Sequence, residues 1–144
     1  MDSEIYRERV LPSAATFSLA PMLAVFIYGV WLPLNEVVGV VSGVLAGSAL
    51  ALVFWLKAPV IAVSKEFLSV GRARIPRTHL GAVEIVPAED SFAARGHLLD
   101  SRAFTSFQSS VRTMVRVNVD DASDPTPYLL FSTRKPEAVR EALS

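Results

Sequence analysis

The segment VLPSAATFSLAPMLAVFIYGVWLPLN (residues 10–35) carries no charge, and after a single Glu36 the segment VVGVVSGVLAGSALALVFWL (residues 37–56) carries none either. At 26 and 20 residues, both are long enough for a helix to cross the ~30 Å hydrocarbon core of a bilayer, which takes roughly 20 apolar residues. The chain therefore reads as an α+β membrane protein. A polar tail (residues 1–9) precedes a two-helix transmembrane hairpin (residues 10–57), and a polar half (residues 58–144) follows it.

The first span is expected over residues 13–32. Pro12 sits where a helix start tolerates proline, and Pro33 where a helix should stop. Pro21 falls inside the span and predicts a kink. The turn is Pro33-Leu34-Asn35-Glu36, and the second span is expected over residues 37–56. A secretory signal would have a shorter apolar run behind a basic leader. Here the leader MDSEIYRERV mixes three acids with two arginines, so a retained anchor is expected. Lys57, Lys65, Arg72, Arg74 and Arg77 follow the second span, whereas the turn has no basic residue. By the positive-inside rule both termini face the cytoplasm. Tyr28, Trp31, Phe54 and Trp55 fall near the expected interfaces.

Gly39, Gly43 and Gly47 recur at four-residue spacing along the second span, which places them on one helical face. Small residues there let another helix approach closely. The partner is either the first span, the simpler use, or a second protomer.

The chain has 144 residues, is 51% hydrophobic with a mean hydropathy of +0.40, and has zero formal net charge and no cysteine. Zero net charge gives no global field for nucleic acid. The lack of cysteine excludes disulfides, thiolate metal sites and cysteine catalysis.

Beyond Ala58 the pattern turns to short strands, at residues 60–63, 67–70 and 72–76, with a turn at Gly71. Residues 79–86 read as another strand, stopped by Pro87. Residues 88–110 hold a short helix near 91–95 or a long loop. Residues 111–119 alternate most clearly, with Val111, Thr113, Val115, Val117 and Val119 on one face. Residues 120–127 are turn chemistry, 128–133 a strand, and 136–143 a closing helix with Pro136 in its first turn.

Short antiparallel strands closed by one helix form the layout of a pleckstrin-homology-like barrel, and SKEFLSVGRARIPRTHLGAVEIV (residues 64–86) resembles the opening strands of bacterial domains of that kind. Together, YRERV (residues 6–10), VGRARIP (70–76), LDSRAF (99–104) and DPTPYLLFSTRKPEAV (124–139) resemble the domain-of-unknown-function 3093 family, small two-span membrane proteins of actinobacteria. The resemblance covers nearly the whole chain and departs at Ser101, where that family more commonly has proline. It implies topology and fold class: the hairpin, then a small antiparallel pleckstrin-homology-like β-barrel or sheet closed by a C-terminal helix. It implies no activity and no catalytic residue.

A search for catalytic or metal-binding chemistry gives little. His79 and His97 are the only histidines and do not form a metal-ligand spacing. Serines crowd residues 101–110 without a nucleophile elbow. The acid pairs Glu89-Asp90 and Asp120-Asp121 fall in turns, and Gly71, Gly81 and Gly96 are isolated, unlike a phosphate-binding loop. No cofactor or metal is expected.

Two features remain. Lys57, Lys65, Arg72, Arg74 and Arg77 are candidate contacts to lipid headgroups, at about 1 kcal/mol for each basic residue near an anionic surface. Asp124, Tyr128 and Arg134, in and after the DPTPY turn, are candidates for a partner-recognition edge. The expected function is that of a non-enzymatic membrane-anchored interaction module. It would bind membrane lipids, a protein partner or a second copy, and no nucleic acid. Alternatives are an enzyme or accessory subunit acting on a membrane lipid or envelope precursor, and a structural subunit of a larger membrane complex.

Overall fold

In the computed structural model the described residues are 3–144. Met1 and Asp2, the start of the segment read as a tail, lie outside them. The chain divides into two compact units, one of residues 11–58 and one of residues 3–10 with 59–144.

The first unit is helical: α1 (Ala14–Phe17), α2 (Leu19–Trp31) and α3 (Glu36–Lys57). Ser13 caps α1, its hydroxyl accepting from Thr16 N at 3.3 Å. The expected kink is a break at Ser18 between α1 and α2. It lies three residues before Pro21, whose ring cannot accommodate the carbonyl of the preceding turn. Asn35 caps α3, its side chain accepting from Val38 N at 3.1 Å. Glu36 stands at the positive end of α3 and Lys57 at the negative end, each matched to the helix dipole. The stretches Ala14–Trp31 and Glu36–Lys57 are long and apolar enough to cross a membrane.

The glycine ridge packs within this unit. Gly39, Gly43 and Gly47 are buried against α2. A Cβ on Gly43 would stand 2.6 Å from Ala24 O, one on Gly47 2.9 Å from Ala20 O, and one on Gly39 3.2 Å from Tyr28 O. The facing row Ala20, Ala24, Tyr28 has the same four-residue period, so rows of small residues interlock. Phe17 meets Phe54 edge to face at 5.8 Å.

The second unit contains two four-stranded sheets. One has the order β1-β2-β3-β4, formed by β1 (Glu4–Arg9), β2 (Val60–Ser64), β3 (Phe67–Val70) and β4 (Ala73–Pro76). The other has the order β5-β7-β8-β6, formed by β5 (Leu80–Val86), β6 (Phe104–Ser106), β7 (Met114–Val119) and β8 (Tyr128–Ser132). Helix α4 (Ser91–Arg95) lies between β5 and β6, and α5 (Pro136–Leu143) ends the chain. The sheets share one core: Ile61, Val63, Leu68 and Val70 from the first, Val115, Val117, Leu129 and Phe131 from the second, and Val139 from α5. Strand β8 is buried along its whole length. Its Tyr128 and Leu130 pack with Met114 in a second cluster beneath Ala94, Leu99 and Ala103.

Three sequence expectations change. Residues 4–9, read as part of a tail, form a strand antiparallel to β2, with Arg7 opposite Ala62 and Arg9 opposite Val60. The strand was hidden because its inward positions include Glu8. The strands are not all antiparallel, since β6 runs parallel to β8; three residues are too few to show a period. The sheets do not close into a single barrel, as each is a separate four-stranded array.

The helical unit is thus an insertion between two paired strands. At its base Val10 N donates to Pro59 O at 2.9 Å. Pro59 has no N–H to return, and Gln108 Nε2 supplies the missing donor to Val10 O at 3.2 Å.

Two outcomes follow. Replacing residues 11–58 by a two-residue Asn-Gly turn should leave a soluble, cooperatively folding domain, because that turn closes antiparallel strands. Residues 59–144 alone, lacking β1, should not fold cooperatively; thermal unfolding followed by circular dichroism distinguishes the two. In the full chain in detergent, Gly43→Ile should lower the unfolding temperature well below that of Val44→Ile. Overpacking typically destabilises by about 1–3 kcal/mol, and Val44 is exposed.

Candidate functional site

On β1, Glu8 is held by three donors. Its carboxylate accepts from Tyr6 Oη at 2.8 Å, from the Thr133 hydroxyl and from Arg134 N at 3.1 Å. Thr133 Oγ1 in turn accepts from Lys135 N at 3.1 Å. The cluster ties the start of the chain to the segment between β8 and α5. Partial burial, and then the adjacent Glu8 carboxylate, push the Tyr6 hydroxyl up to about 12 from its usual 10.0.

The base of the insertion defines one end of the β unit. Gly71, whose φ of 57° only glycine adopts freely, turns the chain there and donates N–H to Val60 O at 2.9 Å. Gln108 reaches the same end through Val10 O, and its N–H donates to Ser132 Oγ at 3.1 Å. Arg95, on α4, locks the neighbouring loop: Nη2 donates to Val111 O at 2.7 Å, and its guanidinium lies 5.0 Å from the Phe107 ring. Arg112 and Phe92 line the adjoining cleft of about 640 Å³.

The sequence-adjacent basic residues do not form one patch. Lys57 ends α3 in the helical unit. Arg72 follows Gly71 at the base end. Lys65 lies in the turn after β2, at the far end of the sheet, with Arg77, whose N–H donates to Glu66 O at 2.8 Å and whose Nη1 donates to Ser64 O at 3.4 Å. The two-residue turns of the β2-β3-β4 meander alternate between ends, so proximity in sequence becomes separation in space. Arg74 lies mid-strand with its guanidinium 4.1 Å above the Phe67 ring.

Arg74 instead joins a residue that the sequence reading assigned to a tail. Register places Arg7, Ala62, Ser69 and Arg74 in one row across all four strands. They line a cleft of about 310 Å³ on the outer face of the first sheet. The floor is small and the two guanidinium groups stand on opposite rims, with Glu4 3.1 Å from Arg7. The alternation in EIYRER was the available signal for Arg7.

The expected recognition edge is not an edge. Strand β8 lies between β7 and β6, and Tyr128 is buried. The Tyr128 hydroxyl accepts from Asp100 N at 2.9 Å, and Arg116 stacks 4.0 Å above its ring. Asp124 holds its own turn by accepting from Thr126 N at 2.8 Å. Arg134 lies at the other end of β8, beside Glu8.

His79 Nδ1 stands 3.3 Å from Asp121 Oδ2, and neither histidine lines the clefts described above. The Asp121 carboxyl is held below its ordinary range by its hydrogen bonds from Ser123 first and by His79 last. Among the described residues, no three histidine or carboxylate side chains gather to hold a metal ion.

Glu8→Gln should destabilise the soluble joined domain by about 2 kcal/mol, the scale of a hydrogen bond to a charged group. Tyr6 adds a pH dependence. Folded, it keeps its proton to about 12, and unfolded it loses it near 10.0. Unfolding therefore releases a proton in that window, so the contribution is intact below pH 10 and is lost as pH rises towards 12. Denaturant titrations should show a shallower alkaline loss for Tyr6→Phe than for the parent.

Searches among curated proteins and among solved structures find no match. A family described as protein of unknown function (DUF3093) matches residues 5–143. That span runs from β1 to the last turn of α5 and includes both partners of the Glu8–Thr133 bond. The chain belongs to the DUF3093 family.

Proposed function

We propose that the protein is a membrane-anchored interaction module, with residues 11–58 crossing the bilayer twice and the β unit held at the cytoplasmic face to bind a protein partner or lipid headgroups. The observation that carries this reading is the insertion of two long apolar helices between the paired strands β1 and β2. Strands bonded in one sheet lie on one side of a membrane, so the inserted segment must cross an even number of times. Sidedness rests on charge: basic residues follow α3 and are missing from the turn between the helices. The antiparallel order β1-β2-β3-β4 of the first sheet and the closing helix α5 support a pleckstrin-homology-like layout, a likeness that suggests a class of function by analogy.

For the ligand, the Arg7–Arg74 cleft is the better fit. Two guanidinium groups facing each other across Ala62 and Ser69 suit carboxylates or phosphates on an extended segment of a partner. The ordered β surface supports a protein partner at this face.

Two measurements test the reading. In intact cells, a cysteine placed at Asn35 should react with an impermeant thiol reagent, while one at Ser144 should not; the reverse pattern overturns the topology. Arg7→Glu with Arg74→Glu should lose a partner that the parent protein retains on purification from native membranes in mild detergent. Identical partners for both would remove the cleft from the proposal.

A further inference from the structure

The base end of the β unit carries an exposed aromatic ring and arginines that its own fold does not use. Phe92, on α4, is 85% exposed, a large apolar surface to leave in water on a helix of five residues. Its position is held: α4 is anchored by Arg95, which bonds Val111 O and packs on Phe107. Arg112 shares the cleft of Phe92, is exposed and has no ion-pair or hydrogen-bond partner among the described residues. Arg72, also exposed and without such a partner, projects from the Gly71 turn, where a Cβ on Gly71 would lie 3.8 Å from Ser106 Oγ.

All of this lies by the point where the chain leaves the β unit. Gln108 bonds Val10 O, Val10 bonds Pro59 O, and residues 11–58 begin and end there. The opposite end of the second sheet, at the β7–β8 connection, carries Asp120, Asp121 and Asp124. Glu89 also lines the cleft of Phe92, and Lys65 and Arg77 lie at the far end of the first sheet. Within the second sheet, arginine and aromatic surface stand at the tethered end and three aspartates at the other.

We propose that the loop end formed by α4 and residues 107–112 sits in the headgroup layer of an anionic lipid surface, with Phe92 among the upper acyl segments and Arg112 and Arg72 against lipid phosphates. This rests on the reading of residues 11–58 as a membrane anchor. A phenylalanine on a surface segment inserts into the boundary between headgroups and acyl chains, and arginine suits phosphate through its paired donors. The tether makes weak contacts sufficient, because the lipid surface is held at high effective concentration. The site differs from the sequence expectation, since Lys65 and Arg77 face away from it.

The chain contains no cysteine, so single labels report without background. The full chain is reconstituted in vesicles of mixed phosphatidylcholine and phosphatidylglycerol, with an environment-sensitive fluorophore on Ser109→Cys, Ala122→Cys or Val44→Cys. Nitroxide lipids quench it at headgroup or deep acyl depth. The label at residue 44 should be quenched by deep nitroxides, which reports the anchor. The label at residue 109 should be quenched by headgroup nitroxides severalfold more than the label at residue 122. Adding Phe92→Ser or Arg112→Gln to the residue-109 protein should reduce that quenching. Equal quenching at 109 and 122 with residue 44 still quenched overturns this proposal and leaves the anchor standing. No quenching at residue 44 overturns the anchor and this proposal together. Unchanged quenching at residue 109 in both added variants also overturns the assignment to Phe92 and Arg112.

Discussion

The pairing of β1 with β2 across the helical insertion is the constraint on which the rest depends. The strands are paired from Arg9 opposite Val60 to Glu4 opposite Ser64, with one bulge between Tyr6 and Glu4, although residues 11–58 separate them in the chain. Closing a flexible loop of that length costs about 3 kcal/mol of chain entropy. Pairing the helices first shortens the effective loop, because the interlocked rows of Gly39, Gly43, Gly47 and Ala20, Ala24 fold residues 11–58 back on themselves. Helix packing and sheet formation thus support each other: the helical unit is one continuous stretch, and the β unit is assembled from the two segments that flank it.

The Glu8 cluster explains why distinctive motifs lie at both ends of the chain. YRERV and STR are 125 residues apart at the Glu8–Thr133 bond, yet the carboxylate of one satisfies a hydroxyl and a backbone N–H of the other. A half-buried carboxylate is costly to hold without such donors, which ties the identity of each motif to the other. The same cluster fixes β1 against the segment that follows β8.

The uncharged stretches at residues 10–35 and 37–56 and the glycine spacing were legible because both are one-dimensional patterns: length without charge, and a period of four. The strands after Ala58 were legible in outline, since Val115, Val117 and Val119 alternate. Three things were not. Strand β1 carries Glu8 on its inward face, and its acceptance by Thr133 depends on a segment at the other end of the chain. Strand β6 is too short for alternation. The placement of Lys65 opposite Arg72 depends on strand direction, which composition does not encode. Sequence proximity grouped five basic residues, and the fold regrouped Arg74 with Arg7.

The glycine ridge also bears on how the protein associates with others. Small-residue faces are the usual close-contact surface of membrane helices, and here that face is occupied. Gly43 already lies against the Ala24 backbone, with no room for a Cβ. A second copy or another subunit has to meet the exposed faces of α2 and α3, populated by Val25, Phe26, Val40, Val44 and Leu45. These are branched or bulky side chains that a lipid chain accommodates as well as a protein does, and beside them on α3 Ser48 is an exposed hydroxyl. Under the proposed function, this packing gives the helices to anchoring and leaves specificity to the β unit, where charge and register distinguish one surface from another.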